Sequence, residues 1–269
     1  MIGLKTINPV VGNTTIDSAR THYCYLGKYA VPNTGGDITI NCVGFPIVFF
    51  SIPYAIADTT GSWPESDLPK RYGAAVAKLR QISSTQWVVT MAVWNHDNRA
   101  LGLQLRVFGM VHANYPNGSG AAIALRIRNP ATNQVTWDSG LRHLRLAGNT
   151  YSTELPLTHE VPPFQTANNS KDLLVNMPFS MANKSICANT RGLITMPFNV
   201  SSYESDGQQI QVYDLYDFGT GYFATGSQLQ ARRLCMKGGQ IETGNPLVIQ
   251  DTARPVYTQL SVIDNTLYP

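Results

Sequence analysis

Charge is the first thing this sequence is short of. Only 14 % of its 269 residues are Asp, Glu, Lys or Arg, against about a quarter in an ordinary globular chain. Ser, Thr, Asn, Gln and Gly must therefore cover its surface, a composition that suits faces buried against other subunits, because interface cores shed charge. The 20 basic and 17 acidic residues leave a net charge of +3. No cationic run is longer than a pair, as at Lys70–Arg71 and Arg232–Arg233, so a nucleic-acid partner is not expected.

Long apolar runs are missing too. The longest, Val43 to Ala57, is interrupted by Pro46, Ser51 and Pro53 and is too short to cross a bilayer as a helix, so membrane insertion is not expected. The opening "MIGLKTINPVVGN" has no charged segment leading into an apolar one, so no secretory signal is read there. The four cysteines, Cys24, Cys42, Cys187 and Cys235, form no C-x-x-C or Cys/His cluster. They are read as reduced, buried thiols, and neither a metal nor a cofactor is expected. In "FGTGYFATG" a dinucleotide fingerprint would need glycine at 224, where Ala224 stands.

What the chain does have is one sentence written twice. A shift of 121 positions superposes residues 3–27 on 124–148 without a gap, with eight identities in the 25 positions. These are Leu4/Leu125, Asn8/Asn129, Pro9/Pro130, Thr15/Thr136, Asp17/Asp138, Ser18/Ser139, His22/His143 and Gly27/Gly148. A weaker echo joins "LQLRVFGM" (103–110) to "LQARRLCM" (229–236). Two echoes in chain order indicate a duplicated unit. The expected organisation is two tandem β-sandwich-like domains, 1–118 and 119–269, parted at the Gly- and Pro-containing "NYPNGSGAA".

The local pattern is strand almost throughout. "QWVVTMAVW" and "LGLQLRVFGMVH" are β-branched and aromatic runs either side of a polar turn, and read as a hairpin. The one helical candidate, with a loop-and-strand reading beside it, is Asp67–Ile82, where Pro69 precedes an Ala-rich stretch. The repeated sentence is itself a hairpin. Asn8 and Asn129 start the turn by bonding the backbone two residues on, and Pro9 and Pro130 preset φ. Gly12, or Asn133 in the copy, tolerates left-handed backbone. Asp17 and Asp138 open the next bend. Trp137, aligned with Ile16, reads as a core position.

A "GLxxxNPxxGxxxxDS" hairpin near the start of a β-rich chain resembles small structural proteins of the tail tip and tail fibres of tailed bacteriophages. Gly3, Leu4, Asn8, Pro9, Gly12, Asp17 and Ser18 carry the resemblance, with Leu125, Asn129, Pro130, Asp138 and Ser139 in the copy. It implies a non-enzymatic structural component of a tail tip, baseplate or tail fibre, assembled in the host cytoplasm and found in the virion. The implied partners are other tail proteins, further copies of the chain, and a host receptor or glycan. A receptor- or carbohydrate-binding adhesin is the alternative, and a polysaccharide-degrading tail enzyme a lesser one.

The residues offer two candidate sites. Asp17–Ser18…His22 and its copy Asp138–Ser139…His143 bring a triad's residue types together, but Ser after Asp in "IDSA" and "WDSG" is not a nucleophile elbow. A structural turn is the better expectation. The other candidate is a set of loop aromatics and their neighbours, namely Trp63, Trp94 with His96 and Asp97, and Tyr115, whose rings suit stacking on a sugar or a partner.

Overall fold

A computed structural model of the chain describes residues 5–7, 14–17, 22–57, 72–95, 97–115, 123–153, 173–188, 194–245 and 257–269. The all-β expectation holds. Two short hairpins stand outside the main sheets. The first joins β1 (Lys5–Ile7) to β2 (Thr14–Asp17), the second β9 (Arg126–Arg128) to β10 (Val135–Asp138). Their registers are the same at the sequence shift of 121. Lys5 faces Asp17, Thr6 faces Ile16 and Ile7 faces Thr14, while Arg126 faces Asp138, Ile127 faces Trp137 and Arg128 faces Val135. A register shift follows the second pair in both.

Turn chemistry sets this geometry in the second hairpin. The Asn129 side chain accepts from the Ala131 N–H at 2.8 Å and the Thr132 N–H at 3.3 Å. Pro130 follows it into the turn, and Asn133 adopts φ 58°, a conformation that Asn and Gly tolerate best. The corresponding Asn8, Pro9 and Gly12 lie outside the described residues, and Asp17 is the last residue of β2.

The main body is a sandwich. One sheet holds β3 (Tyr23–Ala30), β5 (Ile47–Ser51), β8 (Gln104–Met110), β11 (Gly148–Thr153), β13 (Lys184–Cys187) and β17 (Tyr257–Asp264). Their order is β11-β17-β13-β5-β8-β3. The other sheet runs β12-β16-β15-β6-β7-β4. It is made of β4 (Gly36–Asn41), β6 (Tyr72–Ser83), β7 (Gln86–Asn95), β12 (Leu173–Asn176), β15 (Gln208–Thr225) and β16 (Gln228–Thr243), with β14 (Ile194–Ser205) paired to β15 off that path. Alternate residues face inward. Ile38, Ile40, Val89, Met91 and Val93 meet Val48, Phe50, Leu105, Val107, Leu260 and Val262 in one core. Each such buried side chain contributes about 1.5–3 kcal/mol relative to exposure.

Both sheets continue across the two halves of the chain, since β5 pairs with β13 and β6 with β15. Each half visits the sheets in the same sequence. β3 to β8 occupy six-, seven-, six-, seven-, seven- and six-stranded sheets in turn, and β11, β12, β13, β15, β16 and β17 repeat that order. The halves are thus arranged in mirrored order about the β5–β13 and β6–β15 seams, and among the described residues β14 has no counterpart in the first half.

One open expectation is decided and two are corrected. Residues 72–82 of the helical candidate are strand, the reading set beside helix, because Ala74 and Val76 alternate into the core while Ala75 packs on the other face; sheet packing outweighs the helix propensity of alanine. The runs that become β7 and β8 are not a hairpin but cross from one sheet to the other, β7 pairing with β4 and β6, β8 with β3 and β5. The weaker echo also misaligns the halves, since it matches β8 of the six-stranded sheet to β16 of the seven-stranded one.

Two features extend beyond the sandwich. The chain after β17 turns through a 3-10 turn, Asn265–Leu267, and lays Tyr268 on the outer face of the six-stranded sheet. There its ring, 1 % exposed, packs against Phe108 and Tyr25. At the other extreme, β14, β15 and β16 run on as a three-stranded arm. β15 pairs with β14 from Gln208 to Phe218, whereas its bond to β6 is at Tyr222 and Ala74.

Candidate functional site

The twice-written Asp–Ser–His is resolved in its second copy. Asp138 is fully buried. Its Oδ2 accepts from Arg126 Nε at 2.8 Å and its Oδ1 from the Gly140 N–H at 2.7 Å, so its carboxylate clamps the start of the hairpin to the bend that follows. Ser139 Oγ accepts from the Leu125 N–H at 2.9 Å. His143 Nε2 lies 2.7 Å from the Asp138 carbonyl oxygen, and its ring stacks on half-buried Trp137 with centroids 5.1 Å apart and an 8° interplanar angle. Burial pushes the His143 imidazole below its usual range despite the bond to Asp138. No hydrogen bond joins Ser139 to His143, so this copy lacks the nucleophile–base contact that acyl transfer needs.

The repeat nonetheless brings its two histidines together. His22 and His143 meet edge to face, 6.0 Å apart, where β3's start pairs with the segment after β10 through the Cys24–His143 bridge and the His22 N–H to Thr136 oxygen bond. This is a packing seam between the halves, closed beneath by Cys24, Val111 and Val135.

The loop-aromatic set comes apart. Trp63 and His96 lie outside the described residues. Trp94 is a correction: it belongs to β7, is 1 % exposed and packs with Ala75 and Ala92, so it offers no ring to a ligand. Asp97 is exposed but engaged. Its carboxylate takes the Tyr72 hydroxyl at 2.8 Å and Arg99 at 3.0 Å, and the Tyr72 bond, ahead of Arg99, holds its pKa below the usual carboxylate value. Tyr115 caps a short helix, α1 (Val111–Asn114), and packs half-buried against the Cys24 cluster.

Comparison with family models, curated proteins and solved structures finds no match.

Two surface features escaped sequence reasoning. Phe45 is 59 % exposed and stands edge to face on Trp87, 5.3 Å away. The signal for it was the Gly44–Phe45–Pro46 corner, where Gly44 takes φ 78° and turns the ring outward from an otherwise buried run. The other is the arm, legible only as the strand-like run "IQVYDLYDF" (210–218). Its tip, residues 200–211 and 239–245, exposes Val200 and Tyr203 at 44 % and 46 %. The Tyr203 hydroxyl donates to Glu242 Oε2 at 2.8 Å, bracing β14 across to β16. Among the described residues the thiols carry no reactive character. Cys24 and Cys42 are buried and free, Cys187 is free and half-buried, and burial pushes Cys24 up to about 12 and Cys187 to about 11, far from a thiolate at neutral pH.

Proposed function

We propose that this chain is a non-enzymatic structural subunit of a phage tail tip, baseplate or tail fibre, whose work is to hold neighbouring subunits. The observation that carries this reading is the arm. Three strands of 12, 18 and 16 residues run past the sandwich, and a projection of this kind exposes backbone and side chains at a cost that contact with a partner offsets. The scarcity of charge supports the same reading, as does the tail-protein resemblance of the repeated hairpin. Antibody raised against the chain, applied to purified particles in negative-stain electron microscopy, is expected to decorate the far end of the tail. Particles that carry no label and no peptide of the chain by mass spectrometry would refute the proposal.

A second reading, a glycan-binding adhesin, is favoured by the outward Phe45 ring on Trp87, since an exposed aromatic face can stack on a sugar. A glycan array on which the wild type binds and Phe45→Ala does not would support it, and an array silent for both would remove it.

A further inference from the structure

The arm and the second hairpin are matched in charge. Residues 200–211 and 239–245 contain Glu204, Asp206 and Glu242 and no Lys or Arg. All three acids are exposed, and none forms an ion pair with a described residue. The segment 126–145 is the reverse. It holds Arg126, Arg128, Arg142 and Arg145 against the single acid Asp138, which Arg126 already occupies. Arg128, Arg142 and Arg145 remain exposed and face no carboxylate among the described residues.

Backbone geometry limits how the arm can be used. Among the described residues β14 pairs with β15 alone, which leaves its outer edge open. Pro197 has no N–H to give, and the register shift between Asn199 and Ser201 breaks the line of that edge. Both are devices that prevent a strand from being added along an edge. Recognition therefore falls to the side chains of the tip rather than to a shared sheet.

We infer that the acidic tip of the β14–β16 arm docks on the arginine-bearing surface of β9–β10 and the following loop in a second copy of this chain. The inference rests on the structural-subunit reading and names its partner. Arm and hairpin are different surfaces, so the contact is heterologous: one copy is left with a free hairpin and the other with a free arm, each open to a further copy. Such contacts build rings when the rotation closes and filaments when it does not. The attraction is between exposed charges. It is screened over about 10 Å at 0.1 M salt and about 3 Å at 1 M.

The test is sedimentation velocity of the full chain at about 0.05 M and about 1 M sodium chloride. Wild type is expected to form species larger than a dimer at low salt and to return to monomer at high salt. Glu204→Lys/Glu242→Lys and Arg142→Glu/Arg145→Glu should each be monomeric at low salt, and an equimolar mixture of the two should regain the larger species. Circular dichroism of each variant confirms that its strands form. Association that ignores salt overturns the inference, as does a mixture that stays monomeric while wild type associates. Wild type that is monomeric at both salts, yet present in purified particles, overturns the copy-to-copy contact and leaves the structural role standing. Salt-dependent association of a chain absent from particles does the opposite.

Discussion

Replacing Asp138 by alanine separates a clamp from a catalytic carboxylate. The substitution removes two charge-assisted bonds, to Arg126 Nε at 2.8 Å and to the Gly140 N–H at 2.7 Å, each worth about 1.5–3 kcal/mol. The donors it strands are not deeply buried: the Arg126 side chain is 28 % exposed and Gly140 is exposed. Water recovers part of the loss, which places the cost near 3 kcal/mol, at the low end for breaking a buried pair. For a chain of this size that is a fall of roughly 6–12 °C in Tm. Asp138→Asn keeps an acceptor for Gly140 but loses the charge, and should cost about half as much. Ser139→Ala gives up one bond on an exposed residue and should cost about 1 kcal/mol or less. Urea unfolding followed by tryptophan fluorescence measures all three. An Asp138→Ala loss below about 1 kcal/mol, or a Ser139→Ala loss larger than that of Asp138→Ala, would refute the clamp.

The pH dependence of stability follows from two groups. Lys184 first, then the Thr266 side chain and backbone, hold the Asp264 carboxyl at about 2. Its contribution is present above the unfolded value of 3.8 and is lost as pH falls through about 2; Asp264→Asn should flatten that acid limb. His143, depressed chiefly by burial, is held neutral in the folded chain, so its contribution is present above 6.5 and drains as pH falls below it. His143→Gln should flatten the profile there, and a profile parallel to wild type in chemical unfolding across pH would contradict the assignment. Trp94→Ala should cost about 3–5 kcal/mol because the indole is core, whereas Phe45→Ala should stay within about 0.5 kcal/mol. Thermal melts that rank them the other way would reverse the two positions.

Turn residues carried the most legible information. Asn129 and Asn133 work through their own side chains and their own φ, which is local chemistry, and the repeat exposed it by keeping Asn, Pro and Asp while changing the rest. The β-branched and aromatic runs were equally local, which is why β7 and β8 were readable as strands. Pairing was not. Whether Val107 meets Val48 or Val93 as a sheet neighbour depends on which layer each strand joins, and the polar turn after β7 looks the same whether it closes a hairpin or crosses the sandwich. The Ala-rich run within 67–82 stayed open between helix and strand for a related reason, since alanine suits a helix by propensity and a tightly packed sheet face by size. Trp94 was placed on a loop because His96 and Asp97 follow it. Its burial comes from packing with Ala75 and Ala92 across the β6–β7 pair, which its polar followers hide.

The seams between the halves also set an order of events during synthesis. When the first half leaves the ribosome, β5 and β6 are each the last strand of their layer, with their outer backbone groups unsatisfied until β13 and β15 are made. Until then the nascent chain offers two open edges that suit another nascent chain as well as they suit its own second half. Misassembly between neighbouring polypeptides is the characteristic hazard of such a delay, and the long-range pairings themselves close slowly. The yield of correctly closed protein should therefore respond to translation speed and to chaperone supply more than its final stability does.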